Sequence, residues 1–564
     1  MSLWKSWCSP LKRWSLKSLK DWHAEMKGLR FQVQKKIQPG SPNRMDIACF
    51  VGLVKVRPDA PRDDIDEWLS ERSWMEPMKA EVEREHPYRH HREFVNQLLD
   101  VPVPIDSWER FDQLFDWDHR RFSEQATGAC YLATAVRSFF AQGGRFCYVI
   151  QVACPLALEA GRSERKSLID ILLPGNSHPT DRTSWHGIGH LLGLPDVSML
   201  CVPDLPDLFK TESIAIDTQK PDLPEKTEQF VECSEPLATE TTDNAVQTLP
   251  APVAHESDYQ EWASTIHQIT RFIDKYRKDV QLIAAIPLPH PSSEAVESLL
   301  AFMHKQFWFS KNLKNKHGEY EPNDHCISSR FIQLCYPWLQ TAGSLRLPQG
   351  VEPPDGTLAG QLARNAISRG AYRSISGLHQ NDVQGLYPQL SQQEQFALFE
   401  TKNNKDTNIN VPYVPLTDRI SLFGFTPQNI ALLSDVTTSN FSMHRPAGVN
   451  RIISMVNRVV RQVGEAYMFE NNGEALWAEI TQRLNDVFRL LFDLGALRGK
   501  QAEDAFYVRC DRSTMTQQDL DSGRVIVEIQ FNPAASIESI EVILAMQQNG
   551  SVSLSSIGIE QAVA

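Results

Sequence analysis

The fold prediction starts from Tyr467-Met-Phe-Glu-Asn-Asn-Gly-Glu-Ala-Leu-Trp477, together with the chain that follows it to Met546. Asn471 and Glu474 have the spacing of a capping box, which predicts the start of a helix. Apolar residues then recur at helical spacing, and Gly495 is the expected stop. These apolar residues are Trp477, Ile480, Leu484, Val487, Phe488 and Leu491.

Two extended segments are predicted after this helix, at residues 524–531 and 540–546. In each of them apolar side chains alternate and so fall on one face of a strand. Two strands alone bury too little surface to be stable, so they need further strands from the core or from another copy of the chain. The alternating residues are Val525, Val527, Ile529 and Phe531 in the first segment and Ile540, Val542, Leu544 and Met546 in the second.

This C-terminal block resembles the C-terminal domain of the contractile tail sheath family, which includes the sheaths of phage tails and of phage-tail-like contractile injection systems. Further pieces that look like sheath-core motifs lie at residues 46–54, 129–152, 193–198 and 353–360, so the resemblance covers both ends and much of the middle. The motifs of the C-terminal block are Phe469-Glu-Asn-Asn-Gly-Glu-Ala-Leu-Trp477, Phe506-Tyr-Val-Arg-Cys-Asp-Arg-Ser-Thr-Met-Thr-Gln517 and Gly523-Arg-Val-Ile-Val-Glu528, in that order.

The composition is typical of a globular protein of two to four domains, with 564 residues, 41% hydrophobic and 23% charged. A formal net charge of -13 argues against nucleic acid as the main ligand, because phosphate binding needs a basic surface. Ten cysteines without a CxxC pair indicate reduced, buried thiols. No apolar run is long enough to span a bilayer and no secretory signal is visible, which predicts assembly in the cytoplasm.

The N-terminal residues 1–27 are basic and rich in Trp. They could form an amphipathic helix on a membrane surface, but Pro10 and scattered serines interrupt the pattern. We therefore favour a helix that docks its tryptophans on a neighbouring subunit over membrane contact. The segment lies outside the family resemblance.

An isolated strand is predicted next, at residues 28–36, with Leu29, Phe31 and Val33 on one face. A turn at residues 39–42 separates it from residues 46–54, which are apolar throughout and predict a strand buried on both faces. Sheath proteins similarly begin with an extended arm that is followed by such a strand.

Short apolar runs and helical stripes alternate through the middle of the chain, which predicts an α/β layer with a mainly parallel sheet. The fold class we expect is therefore α/β (α+β), a layered sheath core with extended N- and C-terminal β arms and an outward-facing insertion. The predicted helices lie at residues 129–140 and 259–276, and the predicted strands at 145–152, 197–202, 280–286 and 331–336.

Shifts in composition predict the domain boundaries. The acidic, Pro- and Thr-rich residues 205–258 have the character of a linker or exposed excursion. Residues 305–325 and 378–415 are polar and predict loops or a small outward-facing subdomain. The predicted parts are the basic segment 1–27, the N-terminal arm and first core strand 28–57, the first part of the α/β sheath core 58–204, the acidic excursion 205–258, the core continuation with exposed loops 259–440, and the C-terminal sheath domain with its arm 441–564.

The sequence predicts no catalytic residue, no metal site and no cofactor. His186 and His190 have a metal-ligand spacing on a helix, but two glycines weaken that helix and no Glu follows His186. Residues 495–501 lack the Ser or Thr of a phosphate-binding loop and follow a helix rather than a strand. Residues 511–514 carry nucleophile-like side chains that we expect to bond the local backbone instead. The histidines His86, His90 and His91 lie among Arg and Glu and predict a solvated face.

The resemblance implies a structural role. In the sheath family, arms of adjacent subunits complete a sheet in the C-terminal domain of a third, and the subunits form hexameric rings stacked in a helical sheath around an inner tube. Baseplate and terminal cap proteins are further expected partners. Contact with the inner tube should involve the C-terminal domain, and an ordinary solvated loop is the alternative for the charged turn that we single out. That turn contains Arg498, Lys500, Glu503 and Asp504.

Other classes of function stay open at this stage. The particle could be an injection system or a contractile-tailed phage virion. An α/β enzyme would need a Gly-rich phosphate loop after the first strand, where the sequence instead reads Phe50-Val-Gly-Leu-Val54 followed by Lys55. A binding protein with a sheath-like fold that does not polymerise is the third possibility.

Overall fold

A computed structural model describes residues 44–72, 74, 98–122, 126–156, 161–211, 246–290, 327–390, 416–427 and 429–534, and the backbone of residues 542–546 and 552–556. All of them belong to one of the two units into which the chain divides, residues 42–564. The predicted arm residues Leu29, Phe31 and Val33, the histidines His86, His90 and His91, and Ile540 lie outside the described residues.

The described strands and helices alternate through the core and then give way to a helix-rich C-terminal part. The strands are β1 (Ala48–Leu53), β2 (Val103–Ile105), β3 (Arg120–Arg121), β4 (Thr127–Gly128), β5 (Cys147–Ala153), β6 (Met199–Cys201), β7 (Val253–Ala254), β8 (Gln281–Ala285), β9 (Leu288–Pro289), β10 (Ile332–Tyr336), β11 (Trp338–Thr341), β12 (Val383–Tyr387), β13 (Ser421–Phe425), β14 (Ile430–Leu432), β15 (Phe506–Arg509), β16 (Glu528–Phe531), β17 (Val542–Met546) and β18 (Val552–Ser556). The α-helices are α1 (Asp63–Glu71), α2 (Trp108–Leu114), α3 (Tyr131–Ala141), α4 (Arg162–Leu172), α5 (Leu205–Leu208), α6 (Glu256–Tyr276), α7 (Asp355–Ser368), α8 (Ala447–Ala466), α9 (Glu474–Asp493), α10 (Ala502–Ala505) and α11 (Gln517–Asp521). Short 3-10 helices lie at Arg182–Ser184, Gly187–Gly193, Ser344–Arg346, Pro348–Gly350, Leu416–Asp418 and Ser442–His444.

The core is built on an eight-stranded sheet with the order β14-β13-β10-β8-β6-β1-β5-β2. The pairs from β13 through β5 are parallel, and β14 and β2 are antiparallel strands at the two edges. Every residue of β1 is buried, as expected for a parallel strand that is covered on both faces. The predicted α/β class with a mainly parallel sheet is therefore confirmed.

Helix α9 keeps its predicted stripe but starts in a different way. Its N-cap residue is Gly473 and makes no side-chain cap, so the predicted capping box of Asn471 and Glu474 is wrong. Instead, Asn472 Oδ1 accepts a hydrogen bond of 2.7 Å from the indole Nε1 of Trp477. The helix ends as predicted at Gly495, whose φ of 75° and flanking hydrogen bonds form a Schellman motif.

The acidic excursion is shorter than the predicted residues 205–258. Helix α5 is fully buried, and Asp207 within it pairs with the buried guanidinium of Arg120. On the other side, β7 pairs with β9, and α6 begins at Glu256. Residues 205–209 and 251–254 thus pack on the core, because their apolar side chains are buried in it.

Two ion-pair clusters fix helix α8 to the core. Asp435 accepts hydrogen bonds from Arg451 at 2.6 and 3.0 Å, from Gln333 at 3.1 Å and from the backbone N–H of Ile375 at 3.1 Å. Burial alone would raise the pKa of Asp435, but the Arg451 guanidinium outweighs it and the pKa lies below its ordinary value.

In the second cluster Asp279 pairs with Arg277 from the core and with Arg458 and Arg461 from α8. Arg458 also donates to the backbone carbonyl groups of Asp196 and Val197. Breaking a buried pair by removing one partner is strongly destabilising, so these contacts hold α8 against the core.

Three carboxyl groups are buried near one another beside the core sheet, on Asp204, Glu352 and Asp355. Burial raises the pKa of Asp204 to about 7 and the pKa values of Glu352 and Asp355 to about 8. Asp204 Oδ2 accepts a hydrogen bond of 2.7 Å from the N–H of Leu53, and only a glycine at position 52 leaves room for that approach. The folded chain therefore retains protons that its unfolded form releases near pH 4.

The substitution Asp204→Asn is expected to stabilise the folded chain above pH 7, by up to about 4 kcal/mol. Because burial raises the pKa of Asp204, its protonated carboxyl group adds most to the free energy of unfolding below pH 4. That contribution is lost as the pH rises to about 7 and the buried carboxyl group ionises. Asparagine keeps the acceptor for Leu53 and carries no charge to bury. Thermal unfolding between pH 5 and pH 8 measures the effect.

Asp207→Asn is the matched control, because the two residues are three positions apart and both are buried. Burial opposes the charge on Asp207, but Arg120 and Lys210 lower its pKa to about 2. Its replacement leaves Arg120 without its ion pair and is expected to destabilise the chain. A lower melting temperature for Asp204→Asn at pH 8 would contradict the assignment.

Candidate inter-subunit site

The C-terminal sheet consists of β15 and β16, which pair antiparallel with Val508 opposite Ile529. One face of this sheet packs on α9, where Phe488 lies 5.3 Å from Phe506 and 5.6 Å from Phe531 between ring centroids. The sheet is thus anchored to the C-terminal helices by its apolar face.

The other face of the sheet is polar and faces solvent. Arg509 and Glu528 lie opposite each other and form an ion pair of 2.7 Å, and Gln530 donates to Glu528 at 3.0 Å. Tyr507 is 49% exposed. This alternation is that of a sheet with one buried face.

The edges of this small sheet are open in the described part of the chain. Among the described residues, β15 and β16 each have one strand partner, which is the other. An open edge presents a row of N–H and C=O groups that can pair with a further strand. The end of β16 is held by residues 496–498, where Arg498 N–H donates to the carbonyl oxygen of Asn532 at 2.8 Å.

The predicted strand at residues 524–531 is longer than the strand that forms. Ile529 lies in β16 as predicted, whereas Val525 and Val527 precede the strand in irregular backbone. Both valines pack against the apolar cluster of Trp477, Cys510 and Met515. The carbonyl oxygen of Ile526, between them, accepts a hydrogen bond of 2.9 Å from Thr514. These contacts with the 510–515 loop take the place of strand pairing.

The predicted strand at residues 540–546 is described as β17, which contains Val542 and Leu544. It pairs antiparallel with β18, with Leu544 opposite Leu554. The hairpin partner β18 was not predicted from the sequence. In the described residues β17 has no other strand partner, so one edge of the hairpin is open.

The four residues singled out for inner-tube contact are all exposed. Glu503 and Asp504 lie in α10, and Arg498 and Lys500 lie in the turn before it. The turn is close to the C-terminal sheet, because Asn532 Nδ2 donates to the carbonyl oxygen of Asp504 at 3.1 Å. This exposure is compatible with a contact surface and equally with a solvated loop.

The groups considered for chemistry have local roles. His190 is buried and its Nε2 lies 3.1 Å from Asp100 Oδ1, while His186 is half-buried and its Nδ1 lies 3.3 Å from the carbonyl oxygen of Ile171. The two rings therefore bind different parts of the chain. In the 511–514 loop, Asp511 accepts from the N–H of Ser513 at 2.7 Å, as predicted for a backbone-bonding role.

One trio in the described part of the chain brings potential metal-ligating atoms together: Asp116, Asp118 and His119. Its carboxylates already pair with Lys55, Arg57 and Arg346, so they have cationic partners without a metal. Across the described helices, none combines the length and apolar character of a membrane span.

Comparison with known proteins finds similarity in structure alone. No protein-family model matches the sequence, and no curated protein matches it. A chain of the anti-feeding prophage (AFP) baseplate in its contracted state is similar over 93% of this chain and 99% of that chain, with 15% identity and a TM-score of 0.54. A chain of the 6-fold symmetrised AFP baseplate is similar over the same shares, with 15% identity and a TM-score of 0.50. A chain of the contracted AFP helical sheath is 15% identical with a TM-score of 0.49, over 93% of this chain and 99% of that one.

These likenesses define a class of fold, an α/β core of mainly parallel strands followed by a helical part with a small C-terminal sheet, found in components of contractile particles. More narrowly, the chain shares its fold with chains of the AFP baseplate.

Proposed function

We propose that the chain is the structural subunit of the contractile sheath of a phage-tail-like contractile injection system. It polymerises around an inner tube and contracts to drive the tube through a target envelope. The observation that carries this proposal is the sheet of β15 and β16, whose edges have no further strand partner among the described residues. A small sheet with open edges calls for a partner strand, and a homopolymer supplies one at every subunit.

The mode of assembly is β-augmentation between copies of the chain. The predicted N-terminal strand with Leu29, Phe31 and Val33 and the C-terminal strand with Val542 and Leu544 are the arms that neighbours donate. Main-chain hydrogen bonds then supply affinity, and alternating side chains fix the register. Such a contact is head-to-tail and builds rings and a helical array.

Contraction requires subunits that move as rigid bodies while their arms stay attached. The clusters around Asp435 and Asp279 support this, since they join α8 to the core sheet through buried ion pairs. The energy of contraction then resides in the interfaces between subunits, and firing needs no nucleotide. An inner tube protein, a baseplate and a terminal cap are the further partners of such a sheath, and assembly takes place in the cytoplasm.

The tail sheath of a contractile-tailed phage virion is the alternative within the same class of function. Electron microscopy of the native particle in its cells separates the two, because a virion sheath joins a DNA-filled head and an injection-system sheath does not.

The substitution Val542→Asp is expected to block polymerisation more strongly than it lowers the melting temperature. A charged residue with low β-propensity in the arm weakens strand exchange, while the core sheet is far along the chain and keeps its packing. Negative-stain microscopy and thermal unfolding of the purified chain measure the two effects.

Ile171→Asp is the control for this substitution, because Ile171 is 42% exposed on α4 and lies outside both proposed arms. Sheaths of normal length are expected from it. An unfolded Val542→Asp subunit, or sheaths as abundant as those of the unchanged chain, would count against the arm role.

A further inference from the structure

The turn between α8 and α9 contains an exposed Asn-Gly pair, Asn472 and Gly473. Asparagine is one of the chemically labile residues of proteins, and the residue that follows it decides how labile it is. Elsewhere in the chain Asn is followed by Gly only at Asn549, which lies outside the described residues. In the described part of the chain, this pairing therefore occurs at the start of α9 alone.

The side-chain amide of Asn472 is held by its oxygen. Asn472 Oδ1 accepts a hydrogen bond of 2.7 Å from the indole Nε1 of Trp477. An indole N–H is only a donor, so the amide atom that faces it must be the oxygen and not the amino nitrogen. The Nδ2 group of Asn472 is therefore not the atom that Trp477 binds.

Gly473 presents an unhindered backbone nitrogen to this amide. Its φ of -171° and ψ of 172° are extended, and a Cβ built on it would meet no heavy atom within 4 Å. Among the described residues, none accepts a hydrogen bond from the Gly473 N–H. Because glycine also lacks a side chain, neither steric bulk nor an existing hydrogen bond keeps this nitrogen from the side-chain carbon Cγ of Asn472.

We propose that Asn472 is a site of spontaneous deamidation, in which the backbone nitrogen of Gly473 attacks Cγ of Asn472. The new N–Cγ bond closes a succinimide ring, the Gly473 nitrogen gives up its proton, and the Cγ–Nδ2 bond breaks to release ammonia. Water then opens the ring at either of its two carbonyl carbons, which leaves aspartate or isoaspartate at position 472. The reaction consumes water alone, and it does not depend on the sheath function.

Trp477 assists the attack. As the nitrogen of Gly473 adds to Cγ, negative charge develops on Oδ1 of Asn472, which is the atom that the indole N–H of Trp477 already binds. A donor that is in place before the charge develops lowers the barrier without reorganisation. Trp477 is 6% exposed and packs with Cys510 and Met515, so its N–H is fixed in position.

The two products change the start of α9 in opposite ways. The N-cap residue Gly473 supplies no side-chain cap, and a negative charge near the unpaired N–H groups of a helix start is favourable. Aspartate at position 472 brings such a charge and keeps an acceptor for Trp477. Isoaspartate lengthens the main chain by one methylene group directly before the N-cap residue, so it displaces Gly473 relative to Trp477 and weakens the helix start.

Gly473→Ala tests the site. The purified full-length chain and the variant are incubated at mildly alkaline pH, and peptide mass spectrometry follows aspartate and isoaspartate at position 472. Alanine places a Cβ beside the attacking nitrogen, so the rate should fall at least severalfold. The extended backbone and the open space at Gly473 accept alanine, and circular dichroism checks that the fold is kept. Equal rates in both chains, or an unchanged chain that stays unmodified at Asn472, would overturn the proposal.

Trp477→Phe tests the assistance, because it keeps an aromatic ring and removes the N–H. The rate at Asn472 should fall severalfold, and a rate that stays the same or rises would overturn the role of Trp477. Asn176 is the internal control in the same samples, since it is exposed but followed by Ser177. The N–H of Ser177 donates to the carbonyl oxygen of Pro174 at 2.9 Å, so Asn176 should react far more slowly than Asn472 in the unchanged chain. Equal rates at the two asparagines would contradict the proposal.

Discussion

Deletion of residues 1–34 is expected to abolish polymerisation and leave a folded subunit. The deletion removes the predicted arm strand with Leu29, Phe31 and Val33, and the eight-stranded core sheet begins only at Ala48. The core therefore keeps all its strands, while the open edges of the β15–β16 sheet lose a donor. Size-exclusion chromatography, circular dichroism and negative-stain microscopy of the truncated chain measure assembly and folding separately.

Deletion of residues 1–27 is the matched control, since it removes the basic Trp-rich segment and retains the arm strand. If the arm acts as proposed, this shorter deletion polymerises and the longer one does not. Sheaths formed by the chain that lacks residues 1–34 would contradict the arm role, and loss of assembly in both deletions would assign it to residues 1–27.

Arg451→Met is expected to lower the free energy of unfolding by roughly 3–5 kcal/mol. The substitution leaves Asp435 buried with its negative charge and without the guanidinium that offsets its desolvation. Because Asp435 also bonds the N–H of Ile375 and the amide of Gln333, the loss loosens the joint between α8 and the core. Denaturant unfolding of the unassembled chain measures the change.

The double substitution Asp435→Asn with Arg451→Met is the control for this prediction. It removes both charges, and the remaining amide can still accept from Ile375, so a large part of the lost stability should return. Equal losses of the free energy of unfolding in the single and double variants would contradict this. They would show that the loss comes from packing around Arg451 rather than from the charge left on Asp435.

The core sheet was predictable from the sequence because its strands are apolar without interruption. The continuous apolar run of residues 46–54 is typical of a strand that is buried on both faces, and β1 lies within it. The stripe in residues 129–140 likewise specifies α3, whose apolar face is buried. In these segments local pattern and tertiary packing agree.

The C-terminal sheet was harder to predict because its strands are short and their partners are distant. Strand β15 has four residues, and its alternating Phe506 and Val508 were the signal that could have revealed it. Strand β18, which belongs to the separate β17–β18 hairpin, gives a similar weak signal in Val552 and Leu554. A pattern of two apolar residues does not specify which strand pairs with which. Packing on α9 sets the register of β15 and β16, and the hairpin sets the register of β17 and β18.

The buried charges left no signal in the sequence. Asp435 and Asp279 look like ordinary acidic residues, and their arginine partners Arg451 and Arg458 lie on an amphipathic helix where exposed arginines are common. Arg419 is likewise one charge in a loop until the fold buries it. Such roles depend on contacts between distant parts of the chain, which spacing does not report.

In the proposed sheath, sibling copies of the chain supply further strands at the edges of the β15–β16 sheet. A cryo-EM structure of the polymer formed by the full-length chain is the decisive test of this strand exchange. The prediction is a widened C-terminal sheet in every subunit, with added strands that trace back to the N-terminal arm of one neighbour and the C-terminal arm of another. A polymer in which these edges face solvent, or are covered by the termini of the same copy, would contradict it.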